Sequence, residues 1–331
     1  MQRQKFGGDV TPPYRSTWVI LFYETIIFNR IVSMTQQLLF FVGKGGVGKS
    51  TTSAVTAVHL ANTGHDTLLV SMDPAHNQGD IFQTGFSEKA RSVSDKLAVR
   101  EVDTDYWIGK YLKDTETRIR KNYAYHSAFN LQGCFDVLKY SPGLEEYALL
   151  LAFRDVLSTS QEKEVILFDM APTALTLRFF SLPFTTLMWT EELMKLRNRI
   201  NEKKEIISKI RLGHKTLERD RVKSSLGGLI SDYQALRDLF LSGRVRVNLV
   251  INTDRLSFSE AVRIQQKLDD LKIGLDRIVV NKVTDGSLPD GVRQTFAAHR
   301  KRLFPLWDAS ILGLDAINQY IRAHAEIFEE R

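Results

Sequence analysis

Cysteine is almost absent from this sequence of 331 residues, and its absence excludes several kinds of site. The single Cys134 cannot form a disulfide within the chain or build a metal site from cysteines alone. A chain of this length can bury a sufficient core without such crosslinks. Sparse cysteine also fits a protein of the reducing cytoplasm.

Hydrophobic runs long enough to cross a membrane are also lacking. The apolar stretch at residues 18–32 (WVILFYETIIFNRIV) is interrupted by Glu24, Asn29 and Arg30, whereas a spanning helix needs about 20 apolar residues. No small-residue cleavage site follows it, which disfavours a signal peptide. The pattern from Met34 (MTQQLLFFVGKGG) is typical of the start of a domain. We therefore expect residues 1–33 to be an extension outside the mature fold, with a weak membrane or partner anchor as the alternative.

Neither sign of charge dominates the sequence. Lys and Arg number 45 and Asp and Glu number 39, which gives a formal net charge of +6. Much of the basic excess falls in residues 184–244, where it is mixed with acids, a pattern typical of a solvated helical face. We therefore expect no nucleic-acid partner. With 25% charged and 43% hydrophobic residues, the composition is that of a soluble globular protein.

Short apolar runs that alternate with helical patterns are what the sequence does contain. Such alternation predicts an α/β protein with a mostly parallel sheet flanked by helices. The predicted buried strands are residues 38–42, 67–72, 165–169, 247–252 and 277–283.

Two stretches without strand patterns, residues 105–160 and 184–243, are predicted as helical insertions. In the second, apolar residues recur three and four positions apart along two segments, which predicts two helices packed side by side. No Pro- or Ser-rich linker divides the chain. Residues 34–331 are therefore predicted to form one domain with a helical subdomain.

Residues 43–50 (GKGGVGKS) match the phosphate-binding pattern G-x-x-x-x-G-K-[ST] and lie between an apolar strand and a helix. Glycines let successive backbone N–H groups face one anion, and the following helix adds its positive dipole end. Lys49 is predicted to contact the β- and γ-phosphates, and the Ser50 hydroxyl to bind Mg²⁺. The pattern thus predicts a P-loop NTPase fold. The predicted nucleotide-binding residues of the loop are Gly43, Lys44, Gly45, Gly46, Val47, Gly48, Lys49, Ser50 and Thr51.

Two aspartates end predicted strands, where ligands collect in sheets of this type. Asp169 ends the run VILFD, and a carboxylate there can hold Mg²⁺ through water. Asp73 follows the strand at 67–72; the alternative for Asp73-Pro74 is turn formation. Ser50, Asp73 and Asp169 form the predicted metal set.

These motifs together resemble a known family. GKGGVGKST, with its extra Lys44, is similar to the deviant P-loop of the MinD, ParA and nitrogenase-iron-protein superclass. Four further motifs resemble the arsenite-pump-driving ATPases and the guided-entry ATPases that target tail-anchored proteins. They are DPAHN (73–77), DMAPTALTLRFFSLP (169–183), VVNKV (279–283) and FPLWDASILGLDAI (304–317). The resemblance spans residues 34 to about 328.

The resemblance implies ATP and Mg²⁺ as cofactors and assigns roles to single residues. It implies that Lys44 reaches the nucleotide of a dimer partner and that Asp73 positions the attacking water. With Lys49, these are the expected catalytic residues. It further implies that Asn281 recognises adenine, with Pro305 and Leu306 lining the base pocket.

The sequence departs from that family at several positions. Ala174-Leu175 stand where the targeting ATPases have Gly-His, and a lost glycine limits backbone approach to the γ-phosphate. The zinc-binding Cys pair and the arsenite-binding cysteines have no counterpart. One cysteine per subunit also disfavours a shared iron–sulfur cluster, which takes two from each subunit. We expect neither zinc nor an iron–sulfur cluster.

The resulting hypothesis is a homodimeric ATPase that couples ATP binding and hydrolysis to a change in a helical subdomain. This subdomain would bind a protein client or a membrane-protein partner, and the chain would be cytoplasmic, reaching a membrane only through that partner. Because residues 198–223 are strongly polar, we expect weak or no binding of long hydrophobic tail anchors. The alternatives are a MinD/ParA-like positioning ATPase, an energising subunit of a transporter for something other than arsenite, and a nucleotide-gated scaffold without hydrolysis.

Overall fold

The computed structural model describes residues 36–75, 77–122, 139–212, 220–284 and 286–329. The extension at 1–33 and Cys134 lie outside these residues.

Eight strands form one sheet in the described part of the chain, in the order β3-β4-β2-β5-β1-β6-β7-β8. Every neighbouring pair is parallel except β3 and β4. This confirms the predicted α/β class with a mostly parallel sheet. The strands are β1 (Gln37–Val42), β2 (Thr67–Met72), β3 (Arg91–Ser94), β4 (Leu97–Glu101), β5 (Val165–Met170), β6 (Val245–Asn252), β7 (Leu275–Val283) and β8 (Arg300–Pro305).

Helices cover both faces of the sheet, so the strands are buried on two sides. Along β1, for example, Phe40 belongs to one hydrophobic core and Phe41 to the other, because successive side chains point to opposite faces. The helices are α1 (Lys49–Asn62), α2 (Asn77–Phe82), α3 (Thr104–Asn122), α4 (Leu144–Thr159), α5 (Thr173–Leu212), α6 (Arg221–Phe240), α7 (Arg255–Asp270), α8 (Asp290–Thr295) and α9 (Gly313–Ala323), with a final 3₁₀ turn (Ala325–Phe328).

The five predicted strands all form, but the sequence patterns did not reveal β3, β4 or β8. These three strands (RSVS, LAVRE and RKRLFP) carry charged or hydroxyl side chains and lack an uninterrupted apolar run. Two of them, β3 and β8, are the sheet edges, where one side meets solvent and polar residues are tolerated.

The two segments without strand patterns are helical where the structure describes them. Helices α3 and α4 occupy the first, and the long helices α5 and α6 occupy the second. Helix α5 already begins at Thr173, well before the predicted start at 184. The pair packs side by side as predicted, with Gly227 of α6 facing the end of the Met194 side chain of α5.

Candidate functional site

The loop between β1 and α1 has a backbone that only glycine accommodates at two positions. A Cβ on Gly43 would lie 2.4 Å from the Val250 carbonyl oxygen of β6. Gly48 has φ +91°, in the left-handed region, and a Cβ there would lie 2.1 Å from the Asn281 Nδ2. Gly43 and Gly48 are therefore required by the loop's own packing against β6 and β7.

Lys49, the first residue of α1, is buried beneath this loop. Its Nζ donates to the Lys44 carbonyl oxygen at 3.4 Å, a long hydrogen bond. Burial lowers the pKa of Lys49, while the carboxylates of Asp169 and Asp73 act in the opposite direction. The side chain is thus a desolvated cation that an incoming anion would stabilise.

Asp169, near the end of β5, lies at the floor of the site and is fully buried. Its Oδ2 accepts a hydrogen bond from the Gln78 Nε2 at 2.9 Å, and its Oδ1 has no hydrogen-bond partner within the described residues. Burial raises the pKa of Asp169 to about 6, although the nearby Ser50 hydroxyl, the hydrogen bond from Gln78 and the charge of Lys49 oppose this rise. One carboxylate oxygen is therefore free to interact with a cation or water.

Asp73 follows β2 and is buried at the neighbouring strand end. Its Oδ1 accepts a hydrogen bond from the Ala75 backbone N–H at 3.0 Å, which fixes the carboxylate in a turn. The turn chemistry considered for Asp73-Pro74 is therefore present. It is compatible with a functional role, because Asp73 also lines the cleft described next.

A single cleft of about 680 Å³ joins the phosphate loop to the C-terminal part of the chain. Its volume is within the range of small-molecule sites. One end is lined by Gly45, Gly46, Gly48, Lys49, Ser50, Thr51 and Asp73, and the other by Asn281, Pro305, Leu306, Trp307 and Tyr320. Residues more than 230 positions apart in sequence thus meet where the predicted nucleotide would lie.

Asn281, at the end of β7, also supports the phosphate loop. Its Nδ2 donates to the Val47 carbonyl oxygen at 2.8 Å, a contact between residues 234 positions apart. A base in the cleft would therefore meet an amide whose orientation is already fixed. Pro305 is held by a different residue, because its carbonyl oxygen accepts a hydrogen bond from the Tyr320 hydroxyl at 2.8 Å.

Three predicted loop residues, Gly43, Lys44 and Val47, do not line this cleft within the described structure. Gly43 and Val47 are buried and pack against the strands, whereas Lys44 is half-buried. The Lys44 backbone supports Lys49, but its ammonium group is not part of the cleft wall of its own chain.

Several residues of the site are not predicted by the sequence patterns. Gln78 gave no signal, because a glutamine after a turn is usually solvent-exposed, yet it contacts Asp169. Trp307 lies within the motif at 304–317 and Tyr320 lies three residues after its end, and both line the base end of the cleft. That motif pointed to a family but gave no role to either residue. Their aromatic character beside Pro305-Leu306 was the available signal.

The segment after Asp169 forms the first turns of α5 and does not remain a loop. Ala174 is exposed and Leu175 packs against the core, in the two positions where the sequence departs from Gly-His. Arg178, one turn later, pairs its Nε with the Glu146 Oε1 of α4 at 2.8 Å, and Glu146 is buried. The start of α5 is thus tied to α4 by a charge pair.

Behind the site, six phenylalanines form what we call the phenylalanine cluster. Phe40 of β1 and Phe168 of β5 stack with ring centroids 4.9 Å apart, a few residues before the loop and immediately before Asp169. Phe180 of α5 lies 5.2 Å from both Phe40 and Phe240 of α6. The cluster therefore connects the strands that carry the site to both long helices. Its members are Phe40, Phe153, Phe168, Phe179, Phe180 and Phe240.

On its outer surface, α5 exposes large apolar side chains. Trp189, Leu196 and Ile200 have 64, 53 and 37% of their surface exposed, and their spacing places them on one side of the helix. We call these three residues the α5 stripe. Met188, 59% exposed, lies beside it. None of the helices in the described ranges has the length and apolar character that a membrane crossing requires.

Comparison with known proteins agrees with this geometry. Residues 36–318 match the model of the family described as "Anion-transporting ATPase". "Putative arsenical pump-driving ATPase 2" of Aquifex aeolicus is 29% identical over 81% of this chain and 85% of its own length. "ATPase get3" of Schizosaccharomyces japonicus is 29% identical over 77% of both chains. A relative from Prosthecochloris vibrioformis, "Putative arsenical pump-driving ATPase", is 31% identical; the match covers 77% of this chain and 63% of that protein.

Proposed function

Since the chain belongs to the anion-transporting ATPase family, we propose that it is a Mg²⁺-dependent ATPase that hydrolyses ATP to ADP and phosphate in the cleft. The observation that carries the proposal is the meeting of the phosphate loop, Asp73 and an apolar base end in one cavity. The buried cation Lys49 supports it, because burial disfavours its charge until an anion is bound.

The residues of the loop would bind and orient the triphosphate. Lys49 and the backbone N–H groups at the start of α1 supply positive charge at the β- and γ-phosphates, which is the main requirement of phosphoryl transfer. Asp73 accepts a hydrogen bond from the attacking water and orients it toward the γ-phosphate. Its existing bond to the Ala75 N–H holds the carboxylate in place for that role.

The residues present fit a magnesium ion at the phosphates. The Oδ1 of Asp169 is buried without a hydrogen-bond partner among the described residues, near Ser50, and carboxylate and hydroxyl oxygens suit Mg²⁺. When bound, the ion neutralises charge on the phosphate oxygens. No group of three or more His, Cys, Asp or Glu in the described ranges could hold a metal. Phosphate oxygens and water would complete the coordination, as is usual for Mg²⁺.

The base end would hold adenine between the fixed Asn281 amide and the apolar surface of Pro305 and Leu306. Asn281 keeps its Nδ2 on the Val47 carbonyl oxygen. Its Oδ1 is then the atom that can accept a hydrogen bond from an exocyclic amine. This assigns recognition of adenine to a side chain that also holds the phosphate loop.

We further propose that the ATP-bound form is a homodimer, in which Lys44 contacts the nucleotide of the partner. The position of Lys44 outside the cleft of its own chain supports this assignment. The α5 stripe and the phenylalanine cluster support a helical subdomain that responds to ATP and binds a protein client or a membrane-protein partner. The chain would act in the cytoplasm and reach a membrane through that partner. The relatives' names, arsenical pump-driving ATPase and ATPase get3, are compatible with both kinds of partner, a membrane protein and a protein client.

Phosphate release by the purified full chain tests the proposal. The wild type should release phosphate from ATP only with Mg²⁺ present, and Asp73→Asn should bind the nucleotide within about threefold of wild type. Its turnover should fall about 100-fold, the scale expected for loss of a positioned acid–base group. Light scattering of Asp73→Asn with MgATP should give the dimer mass. Absence of phosphate release by the wild type would contradict the proposed reaction.

A further inference from the structure

Gln78, in the short helix α2, is fully buried and reaches the floor of the site. Its Nε2 lies 2.9 Å from the Asp169 Oδ2, 3.2 Å from the Ser50 carbonyl oxygen and 3.3 Å from the Ser53 Oγ. All three neighbours accept hydrogen bonds, which fixes the amide nitrogen toward them. One side chain thus bridges α2, the first turn of α1 and the end of β5.

This amide is poorly explained by packing alone. Its Oε1 is buried and has no hydrogen-bond partner among the described residues. An unpaired buried carbonyl destabilises the folded chain, whereas a methionine of similar length would fill the same space without that cost. The interaction that compensates for it is the hydrogen bond to the charged Asp169, which is stronger than one between neutral groups.

Helix α2 is anchored on its other side as well. The Gly79 backbone N–H donates to the Glu101 Oε1 at 2.9 Å, at the end of β4. The helix begins four residues after Asp73, so its position also sets the turn that holds that carboxylate. Gln78 and Gly79 therefore fasten the segment that follows Asp73 to the ends of β5 and β4, the two strands that flank β2.

We propose that Gln78 is a positioning residue for the metal: it holds the Asp169 carboxylate by Oδ2, so that Oδ1 faces the ion, and couples that carboxylate to the segment bearing Asp73. The inference rests on the proposed function, since it requires that nucleotide and Mg²⁺ bind in the cleft. Gln78 contacts neither of them, and its effect is expected through Asp169.

The test compares the affinity of the full chain for a fluorescent, non-hydrolysable ATP analogue in excess Mg²⁺ and in EDTA. The ratio of the two affinities measures how much the metal contributes to binding, without any need for turnover. The variants are Gln78→Met, which keeps length and loses the donor, and Gln78→Glu, which keeps shape and presents an acceptor to Asp169. Ser53→Ala is the matched control, because it removes a longer contact of Gln78 and leaves the bond to Asp169.

Both Gln78 variants should lower the affinity ratio by about tenfold or more, the scale seen when a residue that orients a metal ligand is lost. Affinity in EDTA should stay within about twofold of wild type, and Ser53→Ala should behave as wild type. An unchanged affinity ratio in both variants, or equal losses of affinity in Mg²⁺ and in EDTA, would overturn this inference and leave the proposed function intact. A wild type that binds no analogue would overturn the proposed function, and the inference with it.

Discussion

The nucleotide edge of the sheet and the helical pair α5–α6 differ in the groups that lack a suitable environment: buried polar atoms in the first region and exposed apolar side chains in the second. At the sheet edge, the Asp169 Oδ1 and the Gln78 Oε1 are buried without hydrogen-bond partners in the described part of the chain. On α5, Trp189 and Leu196 are more than half exposed. Buried polar groups and exposed apolar groups are each costly in isolation. The first region is thus built for a polar ligand and the second for an apolar one.

The two regions are joined through the phenylalanine cluster. Phe168 immediately precedes Asp169, and Phe180 lies within two turns of the start of α5. Ring pairs at 5–6 Å contribute about 0.5–1.5 kcal/mol each beyond their burial, so a shift of either strand is resisted by both helices. A packed cluster of this kind is a physical route by which ligand binding at the edge could reposition the pair.

The largest expected effect is on ATP affinity, and it should differ between substitutions of the two loop lysines. Lys49→Ala should weaken ATP binding by at least about 100-fold, because a buried charge-assisted contact to phosphate is lost. Lys44→Ala should bind ATP within about threefold of wild type, yet turn over more slowly and dimerise less. Calorimetry of both variants measures the affinities. Equal binding defects would contradict the assignment of Lys44 to the partner's site.

Asp169→Asn should change how the stability of the nucleotide-free chain depends on pH. The pKa of Asp169 is about 6 when folded, against an ordinary 3.8, so the folded state holds a proton between those values that the unfolded state has lost. Stability of the wild type therefore falls as pH rises through that window, by about 3 kcal/mol for roughly two pKa units. The Asp169→Asn variant lacks this pH-dependent contribution. Its free energy of unfolding relative to wild type should therefore increase from pH 4 to pH 6.

Urea unfolding at pH 4, 5, 6 and 7.5 measures that difference, and it should level off above pH 6. Parallel pH profiles for the two proteins would show that Asp169 is not a buried carboxylic acid in the nucleotide-free chain.

Binding of an apolar helix should depend on the α5 stripe. The described stripe spans Trp189 to Ile200, about 16 Å of helix, whereas a tail anchor presents about 30 Å. We therefore keep the prediction of weak tail-anchor binding and expect a short amphipathic helical peptide to bind better. Trp189→Ser should reduce peptide affinity about tenfold in fluorescence anisotropy, the scale of a lost aromatic anchor.

Leu256→Ser is the control for that experiment, because Leu256 is 70% exposed and lies on a different helix, α7. Tight, ATP-sensitive binding of long hydrophobic anchors would show that the apolar binding surface extends beyond the α5 stripe.

The smallest expected effect is that of a substitution within the phenylalanine cluster. Phe240→Leu should lower the free energy of unfolding by about 1–2 kcal/mol, since it removes ring contacts and leaves a small void. ATP affinity should be unchanged, while the response of α5 to ATP should weaken. Phe258→Leu, which alters a ring pair with Phe296 outside the cluster, is the control. Equal loss of the α5 response to ATP in both variants would show that the phenylalanine cluster has no specific role in transmitting it.

The parts predicted from sequence are those specified by local pattern. The strand before the phosphate loop, the loop and the strand ending at Asp169 each have a continuous apolar run beside a short motif. Strands β4 and β8 were missed because Arg100, Arg300 and Lys301 interrupt any apolar pattern. The placement of Arg100 depends on its ion pairs with Glu88 and Asp155, which lie 12 and 55 positions away in sequence.

The site itself was only partly predictable for the same reason. The resemblance indicated that Asn281 and Pro305 belong with the loop, and the structure brings both to the cleft. The bond from Asn281 to Val47 and the bond from Gln78 to Asp169 connect residues 234 and 91 positions apart. Such contacts follow from the strand order and have no local pattern, so they could be found only in the folded chain.

Hydrogen exchange of the Asp73→Asn chain, measured with and without MgATP, tests the coupling of the two regions most directly. Lys49→Ala, treated identically, is the control that should not respond. This coupling predicts that MgATP changes deuterium uptake both in the loop and α1 and in residues 181–200 and 226–240 of the helical pair. A change confined to the loop, α1 and the cleft, with α5 and α6 unaltered, would contradict it.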